Sequence, residues 1–593
     1  RAARVSRTLE DAGALLLGAV VAVTLSTSGQ ISFGALWSGL GVSALAAVPR
    51  TAGAVAAFLG LGYVAVRWLA PGVVRRLSRL ELSLLAWIVG LLAASQVSWV
   101  LGVVGLYRPV ALLGLQLLGV AALVGHLLRP PLGRPTEAPP PPSLVERLGR
   151  LVLLALVGAV AGAYLAQSVG TRLVKWDALE YHFAFPRWYL RLGGFEHFPS
   201  HPKSGFYLGI DMLYGMVLTV TEPLRVIPAK LLSWAFGLTA IVAVFLLARR
   251  LGATRTWALV ATLGTLTIPA IANWGLGKVD LAAAGVAVAA LWLLAVAFEE
   301  NEPGLSLWIG LCLGYAATVK VTMILVVPVV VLSVMWRFGR GAGLRCALGC
   351  VAPLIPWAAR AWWLQGTPLY PVLAPRTDYM KEMWVAWGAN GLTLSPESFL
   401  RNAVPLLLNS TGRVFNTYSL GVPALVAMAL AVPAGFRRGA SRVACLAAGT
   451  LLLVLMLWTF EARFLNRYLL LAPAAAFAVA CAWLSSRSSA PLWRTAVPLV
   501  AALGLMVAYV RVDSVFQALG KPATSASIAA GGARSGDRLA RRLRLVRRAE
   551  KLLERGESLL IDDARIYLLD EPWVNANARQ SSVFRYDRLD PEG

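Results

Sequence analysis

"LVLLALVGAVAGAYLAQSVGTRLVKWDALEYHFAFPRW", residues 151 to 188, changes character halfway along. Its first half is almost wholly apolar and close to the roughly 20 residues that a helix needs to cross a bilayer. Its second half gathers Arg172, Lys175, Asp177, Glu180, His182 and Arg187. A span that empties into a cluster of ionisable groups sets the fold class and raises the question of what those groups do. The whole chain repeats the first half of this pattern. It is 58% hydrophobic and only 14% charged over 593 residues, with a mean hydropathy of +0.67, whereas a soluble domain is about a quarter charged. The composition identifies a polytopic membrane protein.

Apolar runs fall at 12–28, 31–48, 53–70, 82–106, 110–128, 150–169, 229–248, 256–273, 281–298, 305–319, 321–336, 346–364, 418–436, 443–460, 468–484 and 495–512. Several are short, so the sequence predicts about 13 to 16 transmembrane helices in an all-α fold. Helices satisfy their own backbone in lipid, and no alternating barrel pattern occurs. One of the first two runs can lie along the interface instead. The net charge of +25 comes mainly from arginines in short loops, as the positive-inside rule expects, so we predict membrane-lipid contacts and no nucleic-acid partner. Basic loops at 73–79, 129–135, 248–255, 336–345 and 436–442 would then share the cytoplasmic side. The five cysteines all sit in apolar runs without metal-ligand spacing.

The Pro-rich segment within 131–147 reads as a cytoplasmic linker. It separates an N-terminal block of spans, 1–130, from a core at 148–512. That core has outer loops at 170–228 and 365–417, and an extracytoplasmic tail follows at 513–593. In the tail, a basic amphipathic stretch precedes "LLIDDARIYLL" (559–569), so a small α/β cap is expected.

Read as a helix, the opening cluster sets Asp177, Glu180 and Tyr181 on one face. Carboxylates at a membrane surface suit a base that deprotonates a hydroxyl; the plainer reading is a solvated interfacial helix. Further ionisable groups fall at other span ends on the same side. Lys278 and Asp280 sit in "NWGLGKVDLAAAG" (273–285), and Lys320 lies in an apolar run with no acid nearby in sequence. Arg360 precedes a Gly-Thr-Pro turn, and Glu461, Arg463 and Arg467 lie in "WTFEARFLNRYLLLAP" (458–473). Charges at such depth are costly and usually functional. This basic set suits an anionic, lipid-linked ligand, with phosphate held by Lys and Arg.

From about residue 150 onward the chain resembles the GT-C-type membrane glycosyltransferases, which include protein mannosyltransferases and the lipid A aminoarabinose transferase. The resemblance is close to a bacterial branch of that group. The marks run in the family's order: "DALEYHFAFPRWYLRLGGF", "KLLSWAFGLTAIVAVFLLARRLGA", "NWGLGKVDLAAA", "GYAATVKVTMILVVP", "PWAARAWWLQGTPLYPVL", "RFLNRYLLLAP" and "LLIDDARIYLL". The resemblance implies a GT-C-like core, a polyprenyl-phosphate sugar donor and inversion at the sugar carbon. It also implies a bacterial cytoplasmic membrane with the site facing the periplasm or exterior. By the same carry-over, Asp177 is the catalytic base and Asp280 the second acid of the site. Lys320, Arg360 and Arg463 meet the donor phosphate, with Arg467 an alternative to Arg463. Tyr181 and His182 match the branch's Tyr-His, and Glu180 and Lys278 join the substrate-binding set. Thr367 stands where many relatives carry Asn, and the N-terminal block lies outside the shared core.

Plainer readings compete. His197 and His201 could join Asp177 or Glu180 around a divalent cation, but Pro199 and Pro202 favour a surface loop, and no metal ligand is assigned. Asp562 and Asp563 read as turn residues. Most tryptophans form an aromatic belt at span ends, leaving Trp176 and Trp188 as the pair that flanks the acids. The alternative function is a non-catalytic GT-C-like structural subunit, with partner subunits docking on the N-terminal spans. A lipid or solute transporter is a third reading, weakened by the lack of an inverted repeat.

Overall fold

The structure, a computed structural model, describes residues 10–20, 41–74, 76–129, 143–170, 178–196, 202–218, 226–271, 274–370, 420–437, 439–459, 469–487 and 491–510. It also describes the isolated positions 397, 399 and 403. Among the described residues the fold is all helical, with no strand. Among the described residues seven helices are long and apolar enough to cross a membrane, or nine if each of two bent pairs is one span. Five shorter apolar helices accompany them. The tail at 513–593 with its expected α/β cap, most of the linker and almost all of the 365–417 loop lie outside the described residues.

The N-terminal block supplies α1 (Gly41–Leu69), α2 (Arg79–Val103) and α3 (Pro109–Leu127). The helix α1 takes in the end of the second apolar run and the whole of the third, up to Leu69. A capping box starts α2, with Ser78 and Glu81 each accepting from the other's backbone N–H. Beyond the linker follow α4 (Leu144–Gly170), the short and largely buried α5 (Ala184–Leu192), α6 (Ile227–Arg250) and α7 (Arg255–Leu266). Next come α8 (Asp280–Glu300), α9 (Ser306–Val319), α10 (Val327–Phe338), α11 (Arg340–Val351) and α12 (Ile355–Gln365). Then α13 (Val422–Arg437), α14 (Ala440–Thr459), α15 (Leu471–Arg487) and α16 (Pro491–Val510) follow.

The central helix is α8, whose apolar window is entirely buried. Its small residues let neighbours approach closely: a Cβ on Gly285 would lie 2.5 Å from the backbone of Ala240 on α6. Close packing of small residues substitutes for the hydrophobic drive that helices lack in lipid. All five cysteines are buried in this packing, Cys312 on α9, Cys346 and Cys350 on α11, and Cys445 and Cys481 on α14 and α15.

Polar contacts divide the bundle into two ends. At one, Arg250 at the end of α6 meets Glu81 at 2.6 Å, Glu300 at 3.1 Å and Glu299 at 3.2 Å. Arg76 pairs with Glu302 at the same end. At the other end lie the starts of α6 and α8, the ends of α2, α9 and α12, and the residues 178–196 and 202–218. The N-terminal block is joined to that segment directly. Tyr107 N–H donates to Gly193 O at 2.7 Å, Phe195 N–H donates to Gly102 O at 2.8 Å, and Tyr107 Oη donates to Met212 O. Ser95 Oγ donates to Gly209 O.

Candidate active site

The site is built where this segment folds over the ends of α8, α9 and α12. Ala178–His182 forms a short π-helical turn, and α5 follows it immediately. A left-handed Gly193 (φ +86°) ends α5. The turn is seated on the loop before α8: a Cβ at Gly277 would fall 2.6 Å from the Phe183 ring and 2.8 Å from Ala178 Cβ. Gly277 also has φ +87°, so the position both needs a glycine conformation and has no room for a side chain. This contact brings residue 178 against the loop that carries Lys278 and Asp280. The Lys278 carbonyl accepts from Ser233 Oγ on α6 at 3.0 Å.

Asp280 opens α8, where the helix dipole favours a carboxylate. Lys320 Nζ lies 3.0 Å from its Oδ1, with the side chains 16% and 6% exposed respectively. The lysine that has no acid nearby in sequence is therefore paired across the fold. Its backbone is extended and ends α9, ahead of the 3₁₀ turn Val321–Val326. Close by, Thr318 O accepts from Gly209 N–H of the outer segment at 3.1 Å.

Arg360 is buried near the end of α12. Its Nη2 donates to Tyr189 Oη at 2.7 Å and its Nη1 to Phe206 O at 3.2 Å. The guanidinium also lies 5.0 Å from the Phe195 ring centroid, at cation–π distance. Its Nε is buried and has no hydrogen-bond partner among the described residues. Burial pushes the Tyr189 phenol above its usual range despite the opposing pull of Arg360, so the hydroxyl stays protonated at neutral pH. The Phe206 ring meets Tyr181 edge-on at 5.6 Å, which ties the Arg360 cluster to the turn that carries His182. Lys203 Nζ sits 5.1 Å from the Tyr181 ring centroid.

His182 is buried and its Nδ1 lies 2.8 Å from Oδ1 of Asp211, which opens the 3₁₀ turn Asp211–Met216. Sequence reasoning missed Asp211; its only signal was a lone acid amid "GFYLGIDMLYG" (205–215), in an otherwise apolar stretch. It also missed Lys230, fully buried one turn into α6. Trp188 is buried against Phe185, with ring centroids 5.6 Å apart, so it packs the segment.

Tyr181, His182, Lys278, Asp280, Lys320 and Arg360 thus share one end of the bundle. Asp177, Trp176, His197, His201, Glu461, Arg463 and Arg467 lie outside the described residues, as does the Glu180 side chain. Among the described residues no three metal-ligating side chains gather.

Residues 215–357 match the family model described as "Dolichyl-phosphate-mannose-protein mannosyltransferase", a GT-C-type glycosyltransferase family. The matched stretch runs from the turn after Asp211 to the start of α12 and includes Lys278, Asp280 and Lys320. No curated protein and no solved structure matches the chain.

Proposed function

From that match to a membrane glycosyltransferase family of the GT-C type, we propose that this chain moves a sugar from a polyprenyl-phosphate donor to an acceptor hydroxyl. Asp177 is the general base, and the site faces the outside of a bacterial cytoplasmic membrane. The observation that carries the reading is the Lys320–Asp280 pair, set where α9 breaks and under the segment that begins at residue 178. The ammonium of Lys320 is a cation of the kind that recognises phosphate, and the Asp280 carboxylate orients it. Arg360 adds a buried Nε–H that spends no hydrogen bond on the described protein. Arg463 or Arg467 completes the phosphate shell, and Glu180, Tyr181, His182 and Lys278 meet the sugar or acceptor. The family's description names a dolichyl phosphate, which is a polyprenyl phosphate, and that supports the donor class.

In the reaction, the acceptor oxygen bonds to the anomeric carbon from the face opposite the phosphate. The carbon–oxygen bond to phosphate breaks with its electrons on the polyprenyl phosphate, and the hydroxyl proton passes to Asp177. The phosphate's departing charge develops beside Lys320 and Arg360, where fixed cations lower the barrier without reorganising. The test is transfer of labelled hexose from a synthetic polyprenyl-phosphate hexose into membranes of the native host. Asp177→Asn should lower turnover on the order of 100- to 10,000-fold while donor binding persists. Turnover within threefold of wild type would refute Asp177 as the base.

A further inference from the structure

The His182–Asp211 pair has no part in the phosphate-binding set proposed above. Both side chains are 3% exposed, and they come from separate segments of the outer fold. The polypeptide holds Asp211 from both sides. Ser95 Oγ donates to Gly209 O two residues before it, and Tyr107 Oη donates to Met212 O one residue after it. Tyr107 and Tyr214 both lie near enough to feel the Asp211 charge, and burial pushes both phenols up, so each remains a neutral hydroxyl. The Tyr181 ring lies beside the imidazole, with ring centroids 4.0 Å apart, and Lys203 Nζ lies over that tyrosine ring. Asp211 is thus the carboxylate that sets the imidazole, and no described group hydrogen-bonds Nε2. The histidine also ends a π-helical turn, a local departure that recurs at functional sites.

A carboxylate accepts only, so Nδ1 must carry the proton that bridges to Asp211. In a neutral ring this leaves a lone pair, and no proton, on Nε2. Such a nitrogen accepts from a hydroxyl and repels a phosphate oxygen. Resting on the transferase reading, we infer that His182 is a sugar-recognition residue: Nε2 accepts a hydrogen bond from a hydroxyl of the donor's sugar, with Asp211 as its positioning residue. The site would then divide its labour, with Lys320 and Arg360 for the phosphate and His182 for the sugar.

The chain has four histidines, so ¹⁵N-histidine labelling of the full chain in lipid nanodiscs gives a spectrum in which a His182→Gln variant assigns one ring. The wild type should show the Nδ1–H tautomer at His182. Asp211→Asn, whose amide can donate to Nδ1, should invert it. A polyprenyl-phosphate hexose should move the Nε2 resonance, and the polyprenyl monophosphate without sugar should not. Asp211→Asn should weaken binding of the hexose lipid about tenfold, the scale of one well-placed hydrogen bond, and leave the monophosphate Kd unchanged, which also shows that the variant is folded. An Nε2–H tautomer in the wild type, or an Nε2 that both lipids move equally, overturns the inference. If both lipids bind and Nε2 does not move, the inference fails while the transferase reading stands. If neither lipid binds the wild type, the transferase reading fails and the inference falls with it.

Discussion

Lys320→Met would remove the cation that lies 3.0 Å from the Asp280 carboxylate, which is 6% exposed. Removing one partner of a buried pair costs about 3 to 5 kcal/mol, because the remaining charge is left uncompensated. The single variant should therefore melt well below wild type in nanodiscs. The double variant Lys320→Met/Asp280→Asn should recover much of the loss, since the buried carboxylate charge goes with the cation. Equal melting of single and double variants would show that the pair is not coupled. At this scale the sequence was half legible. Both residues stood out as ionisable groups in apolar runs, but their pairing did not, because it depends on α8 and α9 packing side by side across 40 residues of chain. Asp211 illustrates the other half. An isolated acid in a loop reads as solvated, and only the fold reveals that it is buried against an imidazole.

Gly277 shows what an element's path demands. With φ +87° and the Phe183 ring 2.6 Å from the place of a Cβ, Gly277→Ala should cost more than about 1 kcal/mol. It should also lift the 178–182 turn off the α8 loop. The expected readout is faster hydrogen exchange in both segments, with α13 and α15 unchanged. Tyr107→Phe is a gentler counterpart. It removes one hydrogen bond to Met212 O, so exchange in the 211–216 turn should rise about fivefold, in line with roughly 1 kcal/mol. The helices themselves were legible from hydropathy alone, because lipid forces each apolar run to satisfy its own backbone. The outer segment was not. Its 3₁₀ and π turns are fixed by packing and by hydrogen bonds to α2 and α9, which no local pattern encodes.

At the scale of the whole molecule, the N-terminal block is part of the structure that holds the site. It donates the hydrogen bonds that flank Asp211, and Glu81 anchors Arg250 at the far end. Sequence resemblance stops short of this block, so its role could not be read from the family pattern. Cut within 131–142 and produced as two chains, the halves should co-purify. The C-terminal half alone should be lost to proteolysis or aggregate, and its recovery as a stable monomer would contradict the packing. The buried cysteines have a practical corollary. With every native thiol sealed among helices, a membrane-impermeant maleimide added to intact cells meets a silent background. Leu106→Cys, at the end that bears the candidate site, and Arg340→Cys, at the opposite end, are both exposed positions. Whichever of the two takes up the reagent reports the side of the membrane on which the chemistry takes place.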